Sequence, residues 1–407
     1  MKCRHCHSDL QLDLVDLGFS PPSNAYLQAA QLAAPEVHYP LRVKVCEACW
    51  LVQTEDFARH DELFSADYAY FSSTSSTWLQ HARNYVDQIV PRLGLTADSR
   101  VVEIAANDGY LLQFVAQRGI PCLGVEPTHS TAEAARALGL PVEEVFFGAE
   151  SARRLLAQYG PADLMVANNV LAHVPDINDF VQGFQILLTP EGTWTIEFPH
   201  LLNLLRYSQF DTIYHEHFSY LSLLAVEHVL GGAGLRAYDV ETLPTHGGSL
   251  RVYVCHAHAR HAETEALVAL RAEELSAGLN TAAAYEDFQR RVRQIRVDFV
   301  QFLLDCQREG RKVAAYGAAA KGNTLLNYAG IDKEWLPLVA DAAPSKQGKF
   351  LPGSHIPIVS PEALLAWRPD TVIILPWNIQ HEVMTQLAAV REWGGRFVVA
   401  IPEVRVL

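Results

Sequence analysis

The chain has 407 residues, 49% of them apolar, and a formal net charge of −14 at pH 7. That length suits two or three domains with real cores. The acidic balance excludes a general nucleic-acid binder, which needs a basic face. No apolar run reaches the roughly 20 residues of a membrane span. The opening Met1-Lys2-Cys3-Arg4-His5-Cys6 carries no apolar h-region. A cytoplasmic protein with reduced cysteines is therefore expected.

Residues 1–67 read as a small module held by two Cys-x-x-Cys pairs, Cys3/Cys6 and Cys46/Cys49. Two such knuckles supply four thiolates, which suits tetrahedral Zn²⁺. A closed four-thiolate shell leaves no position for substrate, so the expected role is structural. Cys122, Cys255 and Cys306 sit singly in apolar stretches and read as core residues. Next comes a segment from Asp67 to Ser76, rich in aromatics and hydroxyls. It suits the N-cap of a helix at about 77–92. It equally suits a sugar-binding lip, with Tyr68 and Tyr70 as contacts.

From Arg100 the pattern becomes β/α. Arg100–Ala105 reads as a strand, 106–109 as a turn and Tyr110–Arg118 as a helix. Pro121–Glu126 reads as a second strand ending in an acid. Later strands are Ala162–Ala167 and Gly192–Phe198, with helices at Thr131–Leu138 and Phe180–Leu188. Strands alternating with helices predict a parallel, doubly wound sheet. Val240–Cys255 reads as an antiparallel pair and 261–309 as two long helices. A second α/β block follows from Arg311, with strands starting at Val313, Leu338, Thr371 and Phe397. The fold class is thus α/β: a zinc-binding module (1–67), a Rossmann-like domain (68–255) and a second Rossmann-like domain with a helical hairpin (256–407).

The first strand of the middle domain runs into Glu103-Ile104-Ala105-Ala106-Asn107-Asp108-Gly109, and Glu126 closes the next strand. This arrangement serves an adenosyl group, the turn approaching the ligand and the acid bonding ribose hydroxyls. A dinucleotide fingerprint would have three glycines where this loop has one. S-adenosylmethionine (SAM) has no phosphate and tolerates the bulkier turn. Glu103, Asn107, Asp108, Gly109, Glu126, Asn168 and Asn169 are the predicted cofactor residues.

Tyr214-His215-Glu216-His217 places four titratable side chains in a row. Histidine titrates near neutral pH, so the run reads as a general base with an orienting partner. His246, Ser249 and Arg251 lie around a Gly-Gly turn, where hairpin chemistry or an ion pair stands beside a substrate role. His173 admits a structural or a functional reading. Gly317-Ala318-Ala319-Ala320-Lys321-Gly322-Asn323, between a strand and a helix, suits an anion at a helix N-terminus. Gly317, Lys321 and Asn323 are the predicted diphosphate contacts, with Lys346 and Lys349 nearby.

Taken in order, the two Cys-x-x-Cys pairs, Glu-Ile-Ala-Ala-Asn-Asp-Gly, Tyr-His-Glu-His-Phe-Ser-Tyr, Thr-His-Gly-Gly-Ser-Leu-Arg and Tyr-Gly-Ala-Ala-Ala-Lys-Gly-Asn make the chain resemble the SAM-dependent sugar C-methyltransferases of deoxysugar pathways, over its whole length. The resemblance implies action on a nucleotide-linked 4-keto-6-deoxy sugar, dTDP or another NDP, at C3 or C5; a monomer is expected, and charge and hydropathy point to no nucleic-acid or membrane partner. It implies His217 as base, Glu216 as its orienter or a hydroxyl contact, and Tyr214 as donor to the keto oxygen. Ala105 departs from the family pattern, which has glycine there. Rival readings are an NAD-dependent sugar oxidoreductase, an O- or N-methyltransferase and a non-catalytic zinc scaffold.

Overall fold

A computed structural model of the chain describes residues 1–57 and 71–407. Tyr68 and Tyr70 lie outside the described residues. Three sheets carry the architecture.

The first sheet contains β1 (Leu12–Ser20), β2 (Tyr39–Val45) and β3 (Val52–Thr54), antiparallel throughout. The second is a seven-stranded sheet. Its first strands are β4 (Val101–Ile104), β5 (Cys122–Val125), β6 (Val142–Glu143), β7 (Ala162–Asn168) and β8 (Leu188–Pro199). A two-residue strand, β9 (Ser219–Tyr220), then leaves this sheet. It pairs with β3, Val52 opposite Tyr220, and so completes the first sheet from mid-chain. β10 (Leu235–Leu243) and β11 (Ser249–His256) return to the central sheet.

The central order is β10-β11-β8-β7-β4-β5-β6. β4 to β8 run parallel, and β11 lies antiparallel between β8 and β10. Chain order reverses on either side of β4, which puts a ligand crevice at the carboxyl ends of β4 and β7. All four residues of β4 are buried, as a strand covered on both faces requires. The Ser76–Leu93 helix lies against this sheet. The Ser75 hydroxyl caps it by accepting from the Trp78 N–H, and Gly94 ends it in the left-handed region.

The Glu265–Ser276 and Phe288–Arg308 helices, the expected pair, lead to the third sheet. This has β12 (Val313–Tyr316), β13 (Val339–Ala340), β14 (Ile358–Val359), β15 (Thr371–Ile374), β16 (Arg396–Val399) and β17 (Arg405–Val406). Its order, β14-β13-β12-β15-β16-β17, has its own reversal point between β12 and β15. β3, β6, β9, β14 and β17, of two or three residues each, escaped the sequence pattern because so few residues carry the period, and the longer β1 and β2 were not read from it either. Among the described residues no helix is long and apolar enough to cross a membrane.

Candidate active site

The zinc centre is the simplest part. The four sulfurs of Cys3, Cys6, Cys46 and Cys49 lie within 4.8 Å of one another. Cys3 Sγ is 3.6 Å from Cys49 Sγ, and Cys6 Sγ is 3.4 Å from Cys46 Sγ. Four sulfurs about 2.3 Å from one ion would stand at such separations, so the residues fit Zn²⁺. The two knuckles are built alike. In each, the residue after the second cysteine (His7, Trp50) is left-handed, and its N–H donates to the carbonyl of the first. The Gln53 side-chain amide donates to Cys3 Sγ at 3.2 Å, as a support around the thiolates.

The cofactor crevice forms where the fold predicts it. Glu126 stands at the end of β5 and accepts from the Asn107 N–H and the Thr128 N–H, each at 2.9 Å. Asn107 Oδ1 and Asp108 Oδ2 turn outward to accept from the backbone of Ser72 (2.9 Å) and Ser73 (3.0 Å). Ser72 and Ser73 thereby lie over the loop. Burial pushes the Glu103 carboxyl well above its ordinary range. Gly109, at φ 78°, is locked by packing: a Cβ there would meet Leu140 Cδ1 at 2.4 Å. Among the described residues, Asp108 Oδ1 and Asn168 Oδ1 are buried acceptors with no hydrogen-bond partner. Among the described residues, Glu103, Asp108 and Glu126 form no ion pair. Unpaired buried acceptors and acidic side chains without ion-pair partners fit a ligand with ammonium, sulfonium and hydroxyl groups, which is SAM.

Ala105 has φ 56°, a left-handed backbone that an L side chain adopts at a cost of roughly 1–2 kcal/mol. Ala105→Gly is expected to stabilise the fold by about 1 kcal/mol and to leave the loop conformation unchanged. Thermal melts with and without SAM would check this, and a lower melting temperature would show that the strain is not there.

The Tyr-His-Glu-His run sits between all three sheets. β9 ties it to β3, and the Thr54 hydroxyl donates to the His217 carbonyl at 2.6 Å. His215 Nε2 reaches the Pro40 carbonyl at 3.2 Å. From the C-terminal side, the Thr324 hydroxyl donates to the Ile213 carbonyl at 2.8 Å. Such clamping fixes one geometry for the run's side chains.

His217 Nδ1 lies 2.8 Å from the Thr212 carbonyl. A carbonyl can only accept, so Nδ1 carries the proton and Nε2 holds the lone pair. Among the described residues Nε2 has no hydrogen-bond partner. Burial first, then the neighbouring His173, holds the His217 pKa well below the usual 6.5. The ring is therefore neutral at physiological pH. The Tyr214 ring centroid is 3.9 Å from it and that of His173 4.6 Å. His173 Nδ1 lies 2.8 Å from the Glu216 carbonyl, and burial lowers its pKa to about 4.

Several predicted roles change place. The orienting partner of His217 is the Thr212 carbonyl, and the Glu216 carboxylate points elsewhere. Glu216 Oε1 accepts from Asn24 Nδ2 at 3.2 Å, while Oε2 is buried without a partner among the described residues. Arg251 does not face substrate: it donates to Glu197 Oε1 (2.7 Å) and Glu241 Oε2 (2.9 Å) inside the sheet. Ser249 serves the hairpin, its hydroxyl donating to the Thr245 carbonyl at 2.9 Å. Gly317 (φ 99°) is closed in, since a Cβ there would meet Pro376 Cδ at 2.3 Å. Asn323 donates to the Ser23 carbonyl at 2.6 Å. Neither leaves an open cradle at that loop.

His246 and Lys321 lie near enough to His217 for their charges to lower its pKa. His246 is left-handed (φ 54°), and its ring lies 5.5 Å from Trp78, which in turn stacks 6.0 Å from Tyr110 beside the cofactor loop. Burial lowers its pKa to about 4. Burial also lowers that of Lys321, whose ammonium donates to Asn378 Oδ1 at 3.1 Å. Sequence reasoning missed Asn24, Asp211, Thr212, Trp78 and Trp377. Asp211 opens the conspicuous run, and its position there was the available signal.

Fold and site together define a SAM-dependent methyltransferase with a four-cysteine zinc centre. Comparison with known proteins narrows the class. Family models match at residues 3–64 (a zinc binding domain), 78–240 (methyltransferase domain) and 244–402 (C-methyltransferase C-terminal domain). C-methyltransferase NovU of Streptomyces niveus is 37% identical over 406 residues, spanning 100% of this chain and 96% of NovU. The chain belongs to this family of C-methyltransferases. Among solved structures, magnesium protoporphyrin IX methyltransferase (ChlM) of Synechocystis PCC 6803 with bound SAM is 15% identical, covering 48% of this chain and 88% of that one at TM-score 0.33. A SAM-dependent methyltransferase from Anabaena variabilis is 14% identical over 47% of this chain and 99% of its own, at TM-score 0.32.

Proposed function

We propose that the chain methylates C3 or C5 of a nucleotide-linked 4-keto-6-deoxy sugar through an enolate, with His217 as base. The observation that supports this most is the His217 ring itself. It is neutral, its proton is fixed on Nδ1 by the Thr212 carbonyl, and its Nε2 lone pair has no partner among the described residues. Methyl transfer to oxygen or nitrogen needs no such base aimed at carbon-bound hydrogen. A 4-keto group acidifies the hydrogens on C3 and C5, and a neutral imidazole can remove one.

Tyr214, against His217, is the donor proposed for the keto oxygen, where charge develops. Glu216 Oε2 and the Asn24–Glu216 pair offer acceptors to sugar hydroxyls. SAM, when bound at the β4 and β7 ends, supplies an electrophilic methyl group. The zinc module (1–67), the central domain (68–255) and the C-terminal block (256–407) all contribute to this one site, and the nucleotide end is assigned to the C-terminal block.

The test is incubation with SAM and a panel of nucleotide-linked 4-keto-6-deoxyhexoses, followed by mass spectrometry and NMR. A product one methylene heavier with a new C–CH₃ signal is expected, absent with the 4-hydroxy counterpart. An O–CH₃ signal, or no gain with any keto sugar despite SAM binding, would overturn the reading.

A further inference from the structure

The Asp211–Thr212 turn holds two things at once. Thr212 gives its carbonyl to His217 Nδ1 at 2.8 Å. Asp211 Oδ2 accepts from the indole N–H of Trp377 at 2.7 Å, across 166 residues of sequence. Trp377 lies at the carboxyl end of β15, on the reversal point of the third sheet. Lys321 opens the Ala320–Ala329 helix at the other lip of that reversal point, with its ammonium 4.8 Å above the Trp377 ring. On the far side, Gly247 is pressed against the same indole, where a Cβ would meet the ring at 2.3 Å, and His246 precedes it. One plate, Trp377, is therefore shared by Lys321, Asp211 and the His246 turn, and one turn joins that plate to the base.

The Lys321 ammonium is held by a neutral amide and an indole face, with no carboxylate within ion-pair distance among the described residues. The Asp211 carboxylate is fully buried, and its Oδ1 has no hydrogen-bond partner among the described residues. An ammonium fixed in a low-dielectric site without a direct counter-ion is prepared for an anion that arises there. The Asp211 charge nearby opposes the burial that lowers the lysine's pKa.

We propose that Lys321, delivered by the C-terminal domain onto the Trp377 plate, stabilises the enolate oxygen formed when His217 takes the proton. This rests on the reaction proposed above. In the step, the C–H bond beside the ketone breaks and its proton goes to His217 Nε2. The C–H electron pair becomes the C=C bond, and the carbonyl π pair moves to oxygen. The resulting oxyanion meets the Lys321 ammonium, with Tyr214 as the second donor. Lys321 thus acts on the reacting oxygen and not on the diphosphate.

The experiment compares wild type, Lys321→Met and Lys321→Arg with the keto-sugar substrate. Three quantities are read: substrate Kd, kcat for methyl transfer, and solvent-deuterium uptake at the enolisable carbon with S-adenosylhomocysteine in place of SAM. For Lys321→Met, deuterium uptake and kcat are expected to fall together by about 100-fold. Substrate Kd should stay within a factor of a few, and Lys321→Arg should recover part of both rates. A large rise in Kd with kcat preserved would overturn the proposal in favour of phosphate binding. Unchanged deuterium uptake would overturn it as well. Thermal melts and SAM binding confirm the fold of each variant, and Lys321→Arg carries the comparison if the Met variant does not fold. Wild type showing neither uptake nor methylation with any keto sugar would instead fail the reaction itself, a result separate from all of these.

Discussion

Removing the zinc, by chelation or by Cys46→Ser, is expected to abolish methyl transfer while leaving SAM binding largely in place. A structural zinc contributes on the order of 10 kcal/mol to folding of its own module at neutral pH. Without a cation, burial pushes the Cys46 thiol up, which opposes its ionisation. The consequence for catalysis follows from what the knuckles touch. The Arg4 guanidinium donates to the Pro175 carbonyl at 2.9 Å, and the His5 carbonyl accepts from Asn178 Nδ2 at 2.8 Å. Those contacts set the loop that carries His173. On the other side, β3 pairs with β9 and Thr54 holds the His217 carbonyl. The first knuckle and the strand after the second thus brace the two histidines. The SAM cradle, by contrast, is built from β4, β5, β7 and the Ser72–Ser73 backbone. The check is zinc release followed by a chelating dye, with methyl transfer and SAM binding measured on the same samples. Turnover that persists in zinc-free protein would show the module to be dispensable for catalysis.

This coupling also explains what the sequence disclosed and what it concealed. The SAM crevice was legible because its parts are local: a buried strand, a loop, and an acid ending the next strand. The zinc ligands and the Tyr-His-Glu-His run were legible for the same reason, as short clusters of one chemistry. The junction was not. β9 is two residues long and pairs with β3, so no periodicity marks it. Asp211 meets Trp377 across 166 residues, and Asn24 meets Glu216 across 192, and such contacts leave no trace in spacing. Arg251, left open in the sequence between substrate and an ion pair, shows the converse difficulty. An arginine in an alternating strand reads alike whether it faces a ligand or a buried carboxylate, and only the position of Glu197 on β8 decided it. The orienter of His217 was missed because it is a main-chain carbonyl, a group every residue possesses.

His217→Asn is expected to lower turnover by at least about a thousandfold, within the range for loss of a positioned general base. The substitution is chosen because the Asn amide N–H₂ can still donate to the Thr212 carbonyl, so the turn keeps its hydrogen bond. SAM affinity should hardly move. The pH profile gives a second, independent reading. Burial and His173 hold the His217 pKa well below 6.5, so the base form persists as pH falls through that value. Wild-type kcat/KM should therefore remain level through pH 6.5 and drop only in clear acid, and His217→Asn should lack that acid limb. Stability runs in the same direction and must be separated from it. His173 titrates at about 4 in the fold against an ordinary 6.5. Between those values the unfolded chain binds the proton first, so stability falls as the medium is acidified. Thermal melts at each pH distinguish the two effects, because a titrating base slows an enzyme that is still folded, whereas unfolding removes SAM binding as well. Near-normal turnover in His217→Asn, with the acid limb intact, would move the base to His173, the neighbouring ring, 4.6 Å away.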